Sequence, residues 1–252
     1  MPRGKVHAYN LTMISRFHFD GVLPPDGEVP LPDAVSHHAL RVLRLGDGEP
    51  LVLFDGSGVE VEARLVVRGK QGFALLGERN ERSRESPLAL ILVQALASGD
   101  KMDWIVQKAV ELGVARVIPL QAERSVLRLS GERAQKRQSH WQQVAISACE
   151  QCGRNVVPEV EPIQPLTAYL GASAGAHKLV LAPGGERPLA ELPRPEAALH
   201  LMIGPEGGWT DAELETCRGA GAIALGLGPR ILRTETAGLA AIAAMQARWG
   251  DL

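Results

Sequence analysis

The chain is short of everything that would place it in a specialised class. Its 252 residues carry 27 Lys+Arg against 29 Asp+Glu, so neither a polybasic nucleic-acid binder nor an acidic tail is present, and any basic surface must be local. No apolar run reaches the roughly 18 residues of a membrane span, and MPRGKVHAYNLTMIS lacks the apolar centre of a secretory signal; the default expectations are no membrane association and a cytoplasmic protein. Aromatic residues are 4% of the chain, too few for stacking of RNA bases on an aromatic sheet. Cys149, Cys152 and Cys217 give an odd count without framework spacing, which excludes a disulfide-stapled fold. Cys149 and Cys152 form C-x-x-C, but the pair ends an amphipathic helix and no second pair follows, so both read as packing residues. The seven histidines lack metal spacing, and no metal is expected.

What is present has two grammars. From Ser15 to Gly77, short apolar stretches recur between turn signals. Asp55-Gly56 between PLVLF and VEVEARLVV is a hairpin signal, and VEVEARL alternates as a half-buried strand does. A small β domain over 15–77 is expected, followed by a charged linker over 78–87 within GERNERSRESP, which starts at Gly77. From residue 88 to 252, short continuous apolar runs (LALILVQAL, ARVIPL, HKLVLAP, LHLMIG, AIALGLG) alternate with helical stretches. Such alternation predicts an α/β fold around a parallel sheet buried on both faces.

Two of those runs end in glycine-rich turns, LMIGPEGGWTDAEL and LGLGPRILRTETAG. Ligands of open α/β sheets settle beyond the carboxyl ends of the strands, where glycine admits close backbone approach and helix N-termini offer free N–H groups. Thr210 with Glu213 fits a capping box, and Thr234 is a candidate cap for the second helix. GLGPRI keeps two glycines of the dinucleotide fingerprint but has isoleucine for the third and stands in the last βα turn, and no phosphate-binding G-x-x-x-x-G-K-[ST] exists; NAD and ATP both fit poorly.

IGPEGGWTDAE and LGLGPRILRTETA closely resemble, in order, two signature loops of the SPOUT superfamily of knotted RNA methyltransferases, and within it the RsmE type, which methylates N3 of a uridine in bacterial 16S ribosomal RNA. GDKMDWIVQKAVELGV, RSVLR, EQCGRN and HHALRVLRLGDGE extend the resemblance over nearly the whole chain. It implies a PUA-like β-barrel over 15–77 that recruits RNA and a SPOUT domain over 88–252 with a deep trefoil knot. It further implies S-adenosylmethionine in the knot, a homodimer completing each site, and the small ribosomal subunit as partner. Family members begin near ISRFHFDG, so residues 1–14 are read as an extension, either a disordered tail or sequence upstream of a start at Met13.

By the same resemblance the cofactor lies against Ile203, Gly204, Pro205, Glu206, Gly207 and Gly208, against Leu225, Gly226, Leu227 and Gly228, and against Ile231, Leu232, Arg233, Thr234, Glu235, Thr236 and Ala237. LAPGG, from Leu181, reads equally as a third wall or as an ordinary turn. Uracil N3 is a nucleophile only once its proton leaves, so positive charge beside the ring oxygens assists; Arg154 and Arg233 are the candidates. Glu150, Glu206 and Glu235 are unranked as proton acceptors, and the base is left unknown. RNA contact is assigned to Arg16, His37, His38, Arg41, Arg44, Arg124, Arg128 and Arg154. Two rivals stand: another SPOUT enzyme, acting on transfer RNA or a ribose 2′-hydroxyl, and an inactive RNA-binding assembly protein.

Overall fold

A computed structural model of the protein describes residues 14–185 and 187–252. The extension read over residues 1–14 lies, Ile14 apart, outside the described residues. The chain forms two compact units that divide between Ser83 and Arg84.

The small unit is a five-stranded sheet of β1 (Ser15–His18), β2 (Glu28–Pro30), β3 (Pro50–Phe54), β4 (Glu60–Arg68) and β5 (Gln71–Asn80) in the order β1-β3-β4-β5-β2, with helix α1 (Asp33–His37) between β2 and β3. β3 and β4 pair antiparallel around the Asp55-Gly56 turn. The period of two in β4 drives Val61, Ala63 and Leu65 into a core with Phe17, Leu51 and Leu53, while Glu62 and Arg64 face out. β5 runs to Asn80, so residues 78–80, read from sequence as linker, are strand. The other end of that segment belongs to the large unit, where the Ser86 hydroxyl donates to Gln246 Oε1 at 2.6 Å. Charged residues disguised both attachments.

The large unit is an α/β fold. Its strands are β6 (Leu90–Ala95), β7 (Arg116–Gln121), β8 (Glu159–Val160), β9 (Gln164–Pro165), β10 (His177–Leu181), β11 (Arg187–Pro188), β12 (Leu199–Ile203) and β13 (Ile223–Gly226). They run parallel in the order β11-β13-β10-β12-β6-β7-β8, with β9 also on β7. The intervening helices are α2 (Lys101–Glu111), α3 (Gly131–Cys152), α4 (Leu166–Ala172), α5 (Asp211–Gly219) and α6 (Thr234–Trp249). Every residue of β6 is buried, the polar Gln94 included, as a central strand covered on both faces requires. Cys149 and Cys217 are buried thiols, and Cys152 is a free thiol at the end of α3.

α3 stops at Gly153, whose φ of 87° is open to glycine, and whose amide donates to Cys149 O at 3.0 Å. Arg154 comes next, and here the structure corrects the sequence reading. Its side chain is 4% exposed, Nε donates to Glu85 Oε1 at 3.0 Å, Nη2 donates to Glu85 Oε2, and Nη1 donates to Val110 O at 2.9 Å and Val114 O at 3.0 Å. An arginine so engaged is a brace between the unit's first residues and the end of α2, not a contact for uracil or phosphate. Arg154→Ala should therefore lower unfolding free energy by about 3–5 kcal/mol, the cost of breaking a buried pair and leaving its partners without the arginine. Urea denaturation reads this, and a loss within 0.5 kcal/mol, the ~0.5 kcal/mol scale of surface substitutions, would return Arg154 to the list of functional candidates.

Candidate active site

The carboxyl ends of β10, β12 and β13 open on one side of the sheet, and the loops that follow them wall a cavity of about 400 Å³. The loop after β12 supplies Gly204, Pro205, Glu206, Gly208 and Trp209, and the loop after β13 supplies Leu227, Gly228, Arg230, Ile231, Leu232 and Arg233. Ile203, Thr234, Glu235 and Ala237 complete those two walls; Leu181, Ala182 and Pro183 form a third, and Lys101 a fourth side.

Local sequence explains why these loops hold their shape. Thr210 ends the first loop in a full capping box: Glu213 N donates to Thr210 Oγ1 at 3.2 Å, and Thr210 N donates to Glu213 Oε2 at 2.9 Å. Thr234 does not repeat the pattern, because Arg233 occupies the cap of α6. Thr234 instead turns inward, accepts from Gln94 Nε2 at 3.0 Å and donates to Gly204 O at 2.6 Å. That chain of bonds pins the start of α6 to β6 and to the first glycine of the other loop. Gly185 explains the third wall. A Cβ there would lie 2.3 Å from Leu225 C, so only glycine lets the loop cross β13 this closely.

Four of the cofactor residues read from sequence do not line the cavity. Leu225 is wholly buried in the sheet, Gly226 lies against Gly185, and Thr236 faces outward on α6. Gly207 backs onto Arg124, with a Cβ there only 3.0 Å from Arg124 Cβ. Sequence reasoning in turn missed Lys101, Ala182, Pro183, Trp209 and Arg230, although each stands inside a quoted motif; the rule that sites gather beyond strand ends already pointed at Lys101, which opens α2 soon after β6.

Charge in the cavity is organised around Lys101, whose Nζ stands 3.2 Å from Glu206 Oε1 and 3.8 Å from Glu235 Oε2. Burial by itself would raise the Glu206 carboxyl, but the hydroxyl of Ser98 at 2.7 Å, its amide at 2.8 Å and Lys101 outweigh it and bring the carboxyl down to about 2. Two buried polar atoms of the lining have no hydrogen-bond partner among the described residues: Trp209 Nε1, a donor, and Glu235 Oε2, an acceptor. Buried groups of this kind are rare unless a ligand completes them.

The residues assigned to RNA are scattered in role. His37, His38, Arg41 and Arg44 are exposed on the small unit. Arg16 is instead structural: its guanidinium meets Glu60 at 2.8 Å and lies 5.2 Å above the Phe54 ring. Arg124 donates to Gly207 O at 3.2 Å and Trp209 O at 3.4 Å, and Arg128 donates to Glu123 O, so both brace loops of the large unit while remaining exposed. Among the described residues no cluster of His, Cys, Asp and Glu is arranged to hold a metal.

Comparison with known proteins fits this geometry. Residues 84–246 match a family model described as an RNA methyltransferase domain, and residues 31–75 one described as an RNA methyltransferase PUA domain. The class is thus an RNA methyltransferase with a PUA domain. A ribosomal RNA small subunit methyltransferase E from Neisseria gonorrhoeae, solved bound to S-adenosyl methionine, is 45% identical, covering 94% of this chain and 99% of its own, with a TM-score of 0.90. A methyltransferase from Legionella pneumophila, solved with bound cofactor SAM, is 38% identical over 95% of this chain and 99% of its own, also at 0.90. The ribosomal RNA small subunit methyltransferase E of Bacillus subtilis is 36% identical, covering 83% of this chain and 86% of its own. The chain belongs to the ribosomal RNA small subunit methyltransferase E family.

The Glu206 carboxyl gives a pH signature. Its folded value lies below the ordinary 4.5, so the stability it contributes is present above pH 4.5 and is lost as pH falls towards about 2. Glu206→Gln should flatten that part of the acid-unfolding curve; an unchanged acid limb would mean that Ser98 and Lys101 do not hold the carboxylate as described.

Proposed function

We propose that this protein transfers the methyl group of S-adenosylmethionine to N3 of a uridine in 16S ribosomal RNA. The observation that carries the reading is the cavity walled by IGPEGGW and LGLGPRILRTETA, in a chain that closely matches a relative solved with S-adenosyl methionine. The residues fit that cofactor. The volume suits a small-molecule ligand, and the glycines of both loops leave backbone uncovered by side chains along the wall, where adenine and ribose would find main-chain partners. When bound, S-adenosylmethionine supplies a methyl group on a sulfonium that is already an activated leaving group. What remains for the protein is to hold the acceptor in line and to stabilise charge on the ring. Arg233, exposed at the cap of α6 and lining the cavity, is placed to do the second and to touch the cofactor loop.

The finer architecture belongs to the same proposal. The small unit is a PUA-like barrel that recruits RNA through His37, His38, Arg41 and Arg44, and the large unit is a SPOUT domain whose chain forms a trefoil knot around the cofactor loops. Two copies complete each site, and the enzyme works in the cytoplasm. Support comes from the family match.

Calorimetry should detect S-adenosylmethionine binding, and nucleoside mass spectrometry of treated 16S RNA should detect 3-methyluridine; binding with methylation of a ribose oxygen or of transfer RNA alone would replace this reading with a rival. Arg233→Ala is expected to weaken both cofactor binding and turnover by about tenfold or more, the ~1.4 kcal/mol scale of one charge-assisted contact. Light scattering at micromolar concentration should report a dimer.

A further inference from the structure

The proton on uracil N3 needs an acceptor, and the structure separates three carboxylates that sequence left equal. Glu150 lies on α3 and does not line the cavity. Glu206 lines it, but its Oε1 already accepts from the Ser98 hydroxyl, the Ser98 amide and Lys101, and a carboxyl held near 2 is a weak base. Glu235 lines it from the first turn of α6 with Oε2 buried and unbonded, Lys101 standing at 3.8 Å.

A carboxylate oxygen without a hydrogen bond suits a donor on the ligand's edge. Uracil presents a carbonyl on either side of N3–H, that is, acceptor, donor, acceptor. Glu235 offers an acceptor in a cavity that also carries the cations Lys101, Arg230 and Arg233. Cytosine, whose N3 is an acceptor, would set lone pair against carboxylate.

We propose that Glu235 is the catalytic base, accepting the N3 proton on Oε2; this rests on the uridine-N3 reading above. The N3–H bond breaks with its electron pair left on nitrogen and its proton passed to Glu235. The nitrogen pair then forms the N3–CH3 bond as the S–CH3 bond breaks, the S–CH3 bonding pair staying on sulfur. Arg230 and Arg233 balance the charge on the ring oxygens, and solvent then takes the proton from Glu235.

The test compares Glu235→Gln and Glu235→Asp with the wild type in cofactor calorimetry and in single-turnover methylation of 16S RNA across pH. Glu235→Gln should bind S-adenosylmethionine within about threefold of wild type and lose about 100-fold or more in rate, the ~10²–10⁴ scale of a general base. Its remaining rate should climb about tenfold per pH unit through neutrality, where the wild type is flat, because only the spontaneously ionised ring then reacts. Glu235→Asp keeps the charge beside Lys101 and should give an intermediate rate with wild-type affinity. A wild-type rate and flat profile in either variant, or a tenfold loss of cofactor affinity in Glu235→Gln, overturns the assignment. If the wild type binds cofactor but makes no 3-methyluridine, the failure belongs to the underlying reading.

Discussion

The site depends on one buried chain of hydrogen bonds, from Gln94 through Thr234 to the carbonyl of Gly204. Gln94 is wholly buried in the central strand β6, and its amide cannot reach water. Its amide nitrogen donates to Ala95 O at 2.9 Å within the strand and also to Thr234 Oγ1; the second bond forms only if α6 begins where it does, and Thr234 finds its own acceptor only if the loop after β12 closes over it. The two glycine loops are therefore tied together through Thr234, which bonds Gln94 on one side and the carbonyl of Gly204 on the other. Replacing these residues by apolar ones of similar shape would keep the volume and lose the register between the loops.

Around this fixed point the cavity divides its work by residue type. Glycines make the walls thin where backbone has to approach, as at Gly204, where a Cβ would come within 3.1 Å of Trp209 Nε1. Charged groups stand at the mouth, with Lys101 between two carboxylates. The cavity thus carries both signs of charge at close range, Lys101 lying 3.2 Å from Glu206 and 3.8 Å from Glu235.

Local signals were legible in the sequence and distant ones were not. The alternation of β4, the buried runs of the parallel sheet and the Thr210–Glu213 box are each set within a few residues, so pattern alone recovers them. Thr234 looked like a second cap because its neighbours resemble those of Thr210, yet its partners are Gln94, 140 positions earlier, and Gly204. Arg154 looked like a ligand for anions because it follows a helix end inside a motif; its anion is Glu85, 69 residues away. Motifs mark positions that matter, but they do not say whether the need is chemical or mechanical.

The Glu85 bridge also says where this enzyme can be divided. A gene cut just before the first strand of the large unit would look safe, since the charged stretch ahead of it reads as a spacer. It would remove Glu85, whose carboxylate is bonded to Arg154, together with Arg84, whose guanidinium donates to Gly153 O at 2.7 Å. During synthesis the same geometry lets the brace close only after the ribosome has released residue 154, some 70 residues behind its partner. A modular swap of the small unit should therefore place its junction ahead of Arg84, within the three residues 81–83 that belong to neither sheet.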